Sequence, residues 1–378
     1  MELSAFRAGQ FESRLEYHSF LPQPIDHGWT ISDPQVLQLL GQADRALGEL
    51  NAFAQLIPDI DFFIRMYVAK EATQSSRIEG TQTNIEDAFK NAEDLLPEVR
   101  DDWSEVQNYI RAINFAIHRL ERLPLSNRLL RDTHAILLEG VRGETKRPGE
   151  FRISQNWIGP SLQNATFVPP HHDHVPELMS DLERFLHNAG SMVPPLIRIA
   201  IAHYQFETIH PFLDGNGRLG RLMISLYLAS TGLLVKPALY LSDYFERNKT
   251  AYVDNMMAVR QGNHLREWLI FFLYGVEETA RASADVFRAI LALKERLERE
   301  VLPCFSHRRQ ENAQMLMRHL YGQPITDIKS VTSLLSTTTN TATSLINDLV
   351  EHKVLVEITA QRRNRLFLFL DYLKLFRS

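Results

Sequence analysis

One interruption in an otherwise helical pattern restricts the fold of this chain more than any other feature. Apolar residues recur at helical spacing over 195–209 and again over 218–231. Between and into these runs stands HPFLDGNGRLGR, His210–Arg221, with three glycines from Gly215 to Gly220. Gly215, Gly217 and Gly220 satisfy GxGxxG, which signals a dinucleotide fold only when a strand precedes it. Here the preceding stretch, Ile199–Ile209, has the period of a helix and carries Gln205 and Glu207. The dinucleotide reading therefore fails on context, and the chain has no GxxxxGK[ST] loop.

Helical periodicity runs through most of the chain. Val36, Leu37, Leu39, Leu40, Ala43, Leu47 and Leu50 form an apolar stripe behind Pro34. Further helices are expected near 61–79, 101–121, 126–140, 175–188 and 264–276, with a long charged helix over 277–301. Strand signals in this part are confined to 151–170, two extended pieces around Gly159-Pro160. The expected fold class is mostly α, a helical body with a short β-hairpin flap. A length of 378 residues suggests two or three domains. The single cysteine, Cys304, excludes an intrachain disulfide and any zinc site built on cysteine pairs. The longest strongly apolar run, Trp268–Tyr274, is far below the ~20 residues of a membrane helix. The charged N-terminus lacks a signal-peptide core. A cytoplasmic protein without membrane association is expected.

After Pro303 the composition changes. From Cys304 onward ten lysines and arginines face six acidic residues, so this part is +4 within a total of −5. A helix, a second over Lys329–Ser336 and a third over Asn340–Lys353 precede strands at Val354–Ile358 and Leu366–Leu370. A basic tip, Gln361–Arg365, joins those strands. This order suggests a winged helix-turn-helix. Arg362, Arg363 and Arg365 suit phosphate contacts. The third helix, however, offers Thr341, Thr343, Ser344 and Asn347 and no arginine, the commonest base reader. DNA binding and a role in dimerisation or docking stay open. The expected division is an N-terminal helical region 1–110, a core 111–276, a linker helix 277–303 and the winged unit 304–378.

The glycine cluster keeps its chemistry without the dinucleotide fold. Glycines let successive backbone N–H groups converge on an anion. A helix starting near Arg218 aims its N-terminus at the same point. Arg218 and Arg221 are one turn apart and can share a face. Two guanidiniums over a backbone nest suit a polyphosphate. Asp214 could hold Mg2+ against it, and His210, turned by Pro211, can face the nest as a base. Together these residues describe a phosphoryl or nucleotidyl transfer site.

HPFLDGNGRLGR resembles the signature HPFx[DE]GNGRxxR of the Fic family of nucleotidyl transferases, and matches every fixed position. Pro148–Arg152, Asn156–Gly159 and Phe167–Pro170 resemble the family's approach to its target-binding flap. The similarity extends over about 33–277. It implies a Fic-type helical bundle that moves AMP from ATP to a Ser, Thr or Tyr hydroxyl of a target protein, or to itself. It implies His210 as general base and Asp214 as Mg2+ ligand. Gly215, Asn216 and Gly217 would hold the α- and β-phosphates through their amides. Arg218 would contact the β-phosphate and Arg221 the γ-phosphate, with Leu219 and Gly220 in the same nucleotide-binding run. Tyr252 would lie beside the adenine and Phe212 in the core. The flap Asn156, Trp157, Ile158 and Gly159 would register a target segment by strand pairing.

A second motif, Ser75-Ser76-Arg77-Ile78-Glu79-Gly80, resembles the family's inhibitory sequence [ST]xxxE[GN], with Ser75, Glu79 and Gly80 at the fixed positions. A helix end capped by Gly80 explains part of it. A glutamate in a last helical turn opposes the macrodipole, however, so Glu79 is expected to have a partner elsewhere. The resemblance supplies Arg221, the γ-phosphate contact. The leading reading is an autoinhibited protein adenylyltransferase with ATP, Mg2+ and an unknown target protein. A de-AMPylating enzyme using the same site and a nucleotide-sensing DNA-binding regulator are the alternatives, and a homodimer stays open. His171-His172-Asp173-His174 is read as a solvated loop and cap, and Cys304 as inert.

Overall fold

The computed structural model describes every residue except 15, 58–59, 360–363 and 378. Strands β1 (Gly9–Ser13) and β2 (His18–Pro22) form an antiparallel hairpin at the start. Helices α1 (Pro34–Leu56), α2 (Ile60–Ile78), α3 (Arg100–Leu120) and α4 (Asn127–Leu137) follow. The centre is α5 (Val175–His187), α6 (Pro195–Ile209) and α7 (Asn216–Ser230). Helices α8 (Ser242–Arg247), α9 (Lys249–Gly262) and α10 (Leu265–Glu300) close the body. The C-terminal part comprises α11 (His307–Leu320), β3 (Ile325–Asp327), α12 (Ile328–Leu334), α13 (Thr339–Glu351), β4 (Val356–Glu357), β5 (Leu366–Leu368) and α14 (Leu370–Lys374). The molecule is mostly helical. Among the described residues no helix is long and apolar enough to cross a membrane.

The functional loop sits between the two most enclosed helices. Residues Leu196–Ile209 of α6 and Arg218–Leu228 of α7 are all buried. A helix apolar all round must be surrounded on all sides. α10 crosses α6, where the Trp268 indole donates to the Ala200 carbonyl at 2.9 Å. α1 lies along α10 with Val36, Leu40, Ala43, Leu47, Leu50 and Ala54 buried at three- and four-residue spacing. Leu37, part of the expected stripe, lies off that face and is 44% exposed.

Three parts of the molecule depart from the sequence-based division. First, the region 1–110 opens on a hairpin instead of a helix. Its short strands carry too few alternating apolar residues to stand out in sequence. Second, no break occurs at 276/277. Val276, Ala280, Ala284, Phe287 and Ile290 extend one buried face, so α10 is a single helix and its second half packs on α1 instead of linking two bodies. Third, α8 and α9 fill a stretch that had no expected helix. Downstream, β3, β5 and β4 form an antiparallel sheet in that order behind α11, α12 and α13. Gln361, Arg362 and Arg363 of the basic tip lie outside the described residues. Arg365 is ion-paired to Glu357 at 2.6 Å.

Asp33 joins the two long helices. Its Oδ1 accepts from the Gln35 and Val36 amides at the start of α1, at 3.1 and 3.0 Å. Its Oδ2 accepts from Arg266 of α10 at 2.7 Å. Asp33→Ala is therefore expected to destabilise the body by about 1–2 kcal/mol, read as a lowered thermal midpoint. Asp33→Asn keeps the cap and should recover most of the loss.

Candidate active site

Pro211 ends α6 and sets the position of His210. A residue before proline is disfavoured in the α region, and His210 takes φ 50°, ψ 61°. This left-handed conformation is uncommon outside glycine. It persists because the His210 carbonyl is held by Arg152 Nε at 3.0 Å and Asn156 Nδ2 at 3.2 Å, while the Arg152 amide donates to the Pro211 carbonyl at 2.9 Å. Burial, with the charges of Arg152 and Arg260 adding to it and Glu79 opposing, lowers the His210 pKa from 6.5 to about 4. Among the described residues its Nδ1 has no hydrogen-bond partner. The imidazole is therefore neutral at pH 7 and able to take a proton.

The loop after His210 is closed by its own side chains. Asn216 Oδ1 accepts from the Phe212 amide and Nδ2 donates to the Phe212 carbonyl, both at 2.8 Å. Gly215 supplies φ 75° at the N-cap of α7. His134 accepts from the Gly149 amide through Nδ1 at 2.8 Å, so its proton is on Nε2, which donates to the Asp214 carbonyl at 2.8 Å. The His134 ring stacks on Phe212 with centroids 3.9 Å apart. Asp214 Oδ1 accepts from the Gly215 amide at 2.6 Å. Its Oδ2 faces Gly143, where a Cβ would sit 3.0 Å away. The amides of the first turn of α7 are left without helical partners and converge on one point.

Arg218 and Arg221 bound this point, and both guanidiniums are buried. Arg218 Nη1 meets Glu105 of α3 at 2.8 Å, and Nη2 lies 3.7 Å from Asp214. Arg142 approaches the same Glu105 at 3.4 Å. Arg221 Nε donates to Ser75 Oγ at 2.9 Å, and Nη2 to the Ser75 carbonyl at 2.9 Å and Glu79 Oε1 at 2.6 Å. Burial would raise the Glu79 pKa, but Arg221 outweighs it and holds the carboxyl below its usual value. A Cβ on Gly217 would collide with Glu79 Oε1. The carboxylate thus lies over the nest, where an anion would bind.

This contact resolves the electrostatic conflict noted at Glu79. α2 ends at Ile78, Gly80 follows with φ 108°, and the Ile78 carbonyl accepts from Lys249 Nζ at 2.6 Å. Arg77 in the last turn and Lys249 from α9 are the cations expected at a helix C-terminus, and Glu79 is turned towards Arg221. Two turns back, buried Glu71 accepts from Tyr109 at 3.0 Å and Ser242 Oγ at 2.6 Å. Burial raises its pKa. Tyr109 also donates to the Arg218 carbonyl at 3.2 Å. On the other side, His203 Nδ1 donates to the Gly220 carbonyl at 3.0 Å and Nε2 accepts from Tyr252 at 2.8 Å. Glu207 is buried against Gly220, and burial raises its pKa to about 7.

The flap is smaller than a regular hairpin. Ile158 and Phe167 form one antiparallel bridge. Gly159, at φ 132°, makes the tight turn beside Ala165 and Thr166, where a Cβ would collide. Trp157 and Ile158 are exposed. Asn156 is buried, with its amide on the carbonyls of His210 and Phe212. β2 joins the flap through the Phe20 amide, which donates to the Val168 carbonyl at 2.9 Å.

The structure brings His210, Asp214, Gly215, Asn216, Gly217, Arg218, Arg221, Ser75 and Glu79 to one place. Four others take different places. Leu219 is wholly buried, and Gly220 packs against Phe206 and Glu207, because helical rotation turns both away from the nest. Tyr252 is buried on Phe245, with its hydroxyl on His203 and beside Arg221. Asn156 anchors the flap from beneath. Glu105, Tyr109, His134 and His203 had no local signal, as the 113 residues between Glu105 and Arg218 illustrate, while Arg152 lay in the segment that resembles the approach to the flap. Glu71 was legible as the next member of the series Glu71, Ser75, Glu79. His171, His172 and Asp173 bring ligand-type atoms within 4.8 Å of one another, while His171 caps the turn before α5.

Comparison with known proteins agrees with this geometry. Residues 37–118 match the Fic/DOC family N-terminal region and residues 124–228 the Fic/DOC family. The chain is 35% identical over 85 residues to protein adenylyltransferase fic-1 of Caenorhabditis briggsae, covering 22% of this chain and 16% of that one. It is 36% identical over 106 residues to protein adenylyltransferase Fic of Drosophila ananassae, covering 27% and 20%. The matched stretch is thus no more than a fifth of these relatives' length. A Fic family protein from Desulfovibrio desulfuricans has the same fold, with a TM-score of 0.57 at 19% identity over 91% of this chain and 98% of that one. A Fic domain containing signaling protein from Bacteroides thetaiotaomicron is similar at a TM-score of 0.51 and 16% identity, over 67% and 95%. Residues 37–118 and 124–228 thus carry, in succession, a Fic/DOC family N-terminal region and a Fic/DOC family domain.

Proposed function

We propose that the protein is an AMP transferase that uses ATP to modify a hydroxyl of a target protein, and that Glu79 holds it in an idle state. The observation that carries this reading is the Arg221 guanidinium, bound by Ser75 and Glu79 beside the amide nest and His210. In the reaction the target hydroxyl oxygen attacks the α-phosphorus of ATP and the α–β bridging bond breaks. The hydroxyl proton passes to His210 and pyrophosphate leaves. The first-turn amides of α7 and Arg218 would stabilise the phosphates, and Arg221 the γ-phosphate once Glu79 withdraws. Asp214 offers a hard oxygen donor in a cradle shaped by Gly143, which fits Mg2+. Such an ion would neutralise phosphate charge there. The exposed Trp157 and Ile158 on the flap would register the target chain. The C-terminal unit, read as a winged helix-turn-helix from its element order, is a candidate for DNA or partner docking.

Glu79→Gly frees Arg221 and should raise self-AMPylation tenfold or more, roughly the contribution of a charge-assisted hydrogen bond. Intact-mass measurement after ATP, with other nucleotides as controls, reads it directly. An unchanged mass overturns autoinhibition. Loss of AMP from a modified substrate instead would favour the reverse reaction.

Two further outcomes can be measured in the Glu79→Gly background. Glu105→Gln leaves buried Arg218 with only the more distant Asp214 as counter-charge and should lower kcat/KM for ATP roughly tenfold. The pH profile should stay flat to about pH 5, because only neutral His210 accepts the proton and its pKa lies near 4. An acid limb near the ordinary histidine value of 6.5 would overturn the lowered pKa of His210 while leaving its role as base in place.

A further inference from the structure

The contacts of α2 extend well beyond Glu79. Phe63 and Tyr67, one and two turns into α2, are buried against the C-terminal unit. Phe63 meets Tyr321 at a ring-centroid distance of 5.1 Å and Tyr372 at 6.3 Å. Tyr67 meets Phe376 edge-on at 5.2 Å. The four-residue series then continues as Glu71, bound by Tyr109 and Ser242, then Ser75 and Glu79 on Arg221. Each member is a neighbour of the next on the helix surface. The series winds gradually round α2 from the C-terminal unit to the nest. The segment just after Glu79 is gripped as well. Gln323 Nε2 donates to the Phe89 carbonyl at 2.8 Å, and Arg377 is ion-paired with Glu86.

We infer that the C-terminal unit is the handle of the inhibitory segment: it holds residues 60–89 on both sides of Glu79 and thereby sets how firmly Glu79 occupies Arg221. This rests on the autoinhibited reading proposed above. A helix transmits displacement as a rigid body, so a shift at Phe63 and Tyr67 is carried along α2 to Glu79. The junction also has room to move. A cavity of about 850 Å³ opens between α2 and α3, bordered by Ile64, Val68, Phe89, Gly322 and Gln323. A ligand of the C-terminal unit that favours a different seat on α2 would shift the population towards the released state.

The test is a double-mutant cycle on the full-length chain, read as self-AMPylation by intact mass. Phe376→Ala removes the ring that Tyr67 packs on, and Arg377→Ala removes a surface ion pair with little risk to folding. Each should raise the rate in the wild-type background, Phe376→Ala by roughly three- to tenfold, the scale of coupling between groups in one network. Neither should raise it further in the Glu79→Gly background. Phe376→Leu should return the rate towards wild type. Equal increases in both backgrounds, or none in the wild-type background, overturn the coupling. If Phe376→Ala fails to fold, Arg377→Ala alone decides by the same criterion. If Glu79→Gly itself has no effect, the autoinhibited reading fails instead, and the two failures are told apart.

Discussion

A guanidinium taken out of water needs a counter-charge, and the organisation of this molecule depends on how that need is met at Arg221. Its side chain is only 3% exposed, within one of the two most enclosed helices of the body. Leaving such a charge unpaired is costly, whereas pairing it restores much of the loss. Two groups of the right charge can satisfy it: a carboxylate supplied by the chain, or a phosphate supplied by a ligand. In this structure Glu79 and Ser75 do so. Because both come from α2, the position of that helix and the state of the nest are coupled by one ion pair.

The rest of the site is built by side chains that bind backbone carbonyls. Arg152 and Asn156 hold the carbonyl of His210, His134 that of Asp214, Tyr109 that of Arg218 and His203 that of Gly220. These bonds keep a strained turn and a glycine-rich loop in one conformation without occupying the N–H groups that face the nest. Preorganised donors of this kind lose little on binding an anion, since no rearrangement is needed when it arrives. The supporting side chains are buried, and the same bonds satisfy most of their polar groups, Asn156 Oδ1 being without a partner among the described residues.

The sequence was informative where the physics is local and silent where it is long-range. Pro34 behind Asp33 and the apolar stripe of α1 marked a helix start, and Pro211 marked a stop. The glycines had to lie between helices, which separated this site from a dinucleotide fold. Glu79 was legible because a glutamate at a helix end is electrostatically out of place. By contrast Glu105 bonds Arg218 across 113 residues, and no spacing rule reaches that far. The hairpin β1–β2 was missed because short strands leave little alternation. The division within α10 was misjudged because exposed charges from Glu277 onward masked a buried face that continues to Leu297. Leu219 and Gly220 belong to the motif as letters, but helical rotation places them in the core.

The burial of Arg221 also explains why an inhibitory glutamate is effective at a partly open position. Glu79 is 37% exposed, and an ion pair at such a surface contributes little by itself. Its partner, however, is buried and already bound to Ser75 on the same helix, so the guanidinium is fixed before Glu79 reaches it. Little side-chain entropy remains to be lost on the arginine side. The contact is therefore strong enough to fill the anion site, yet reversible because the carboxylate side chain is partly exposed. A carboxylate more deeply buried would close the nest permanently, and one more exposed would leave Arg221 uncompensated.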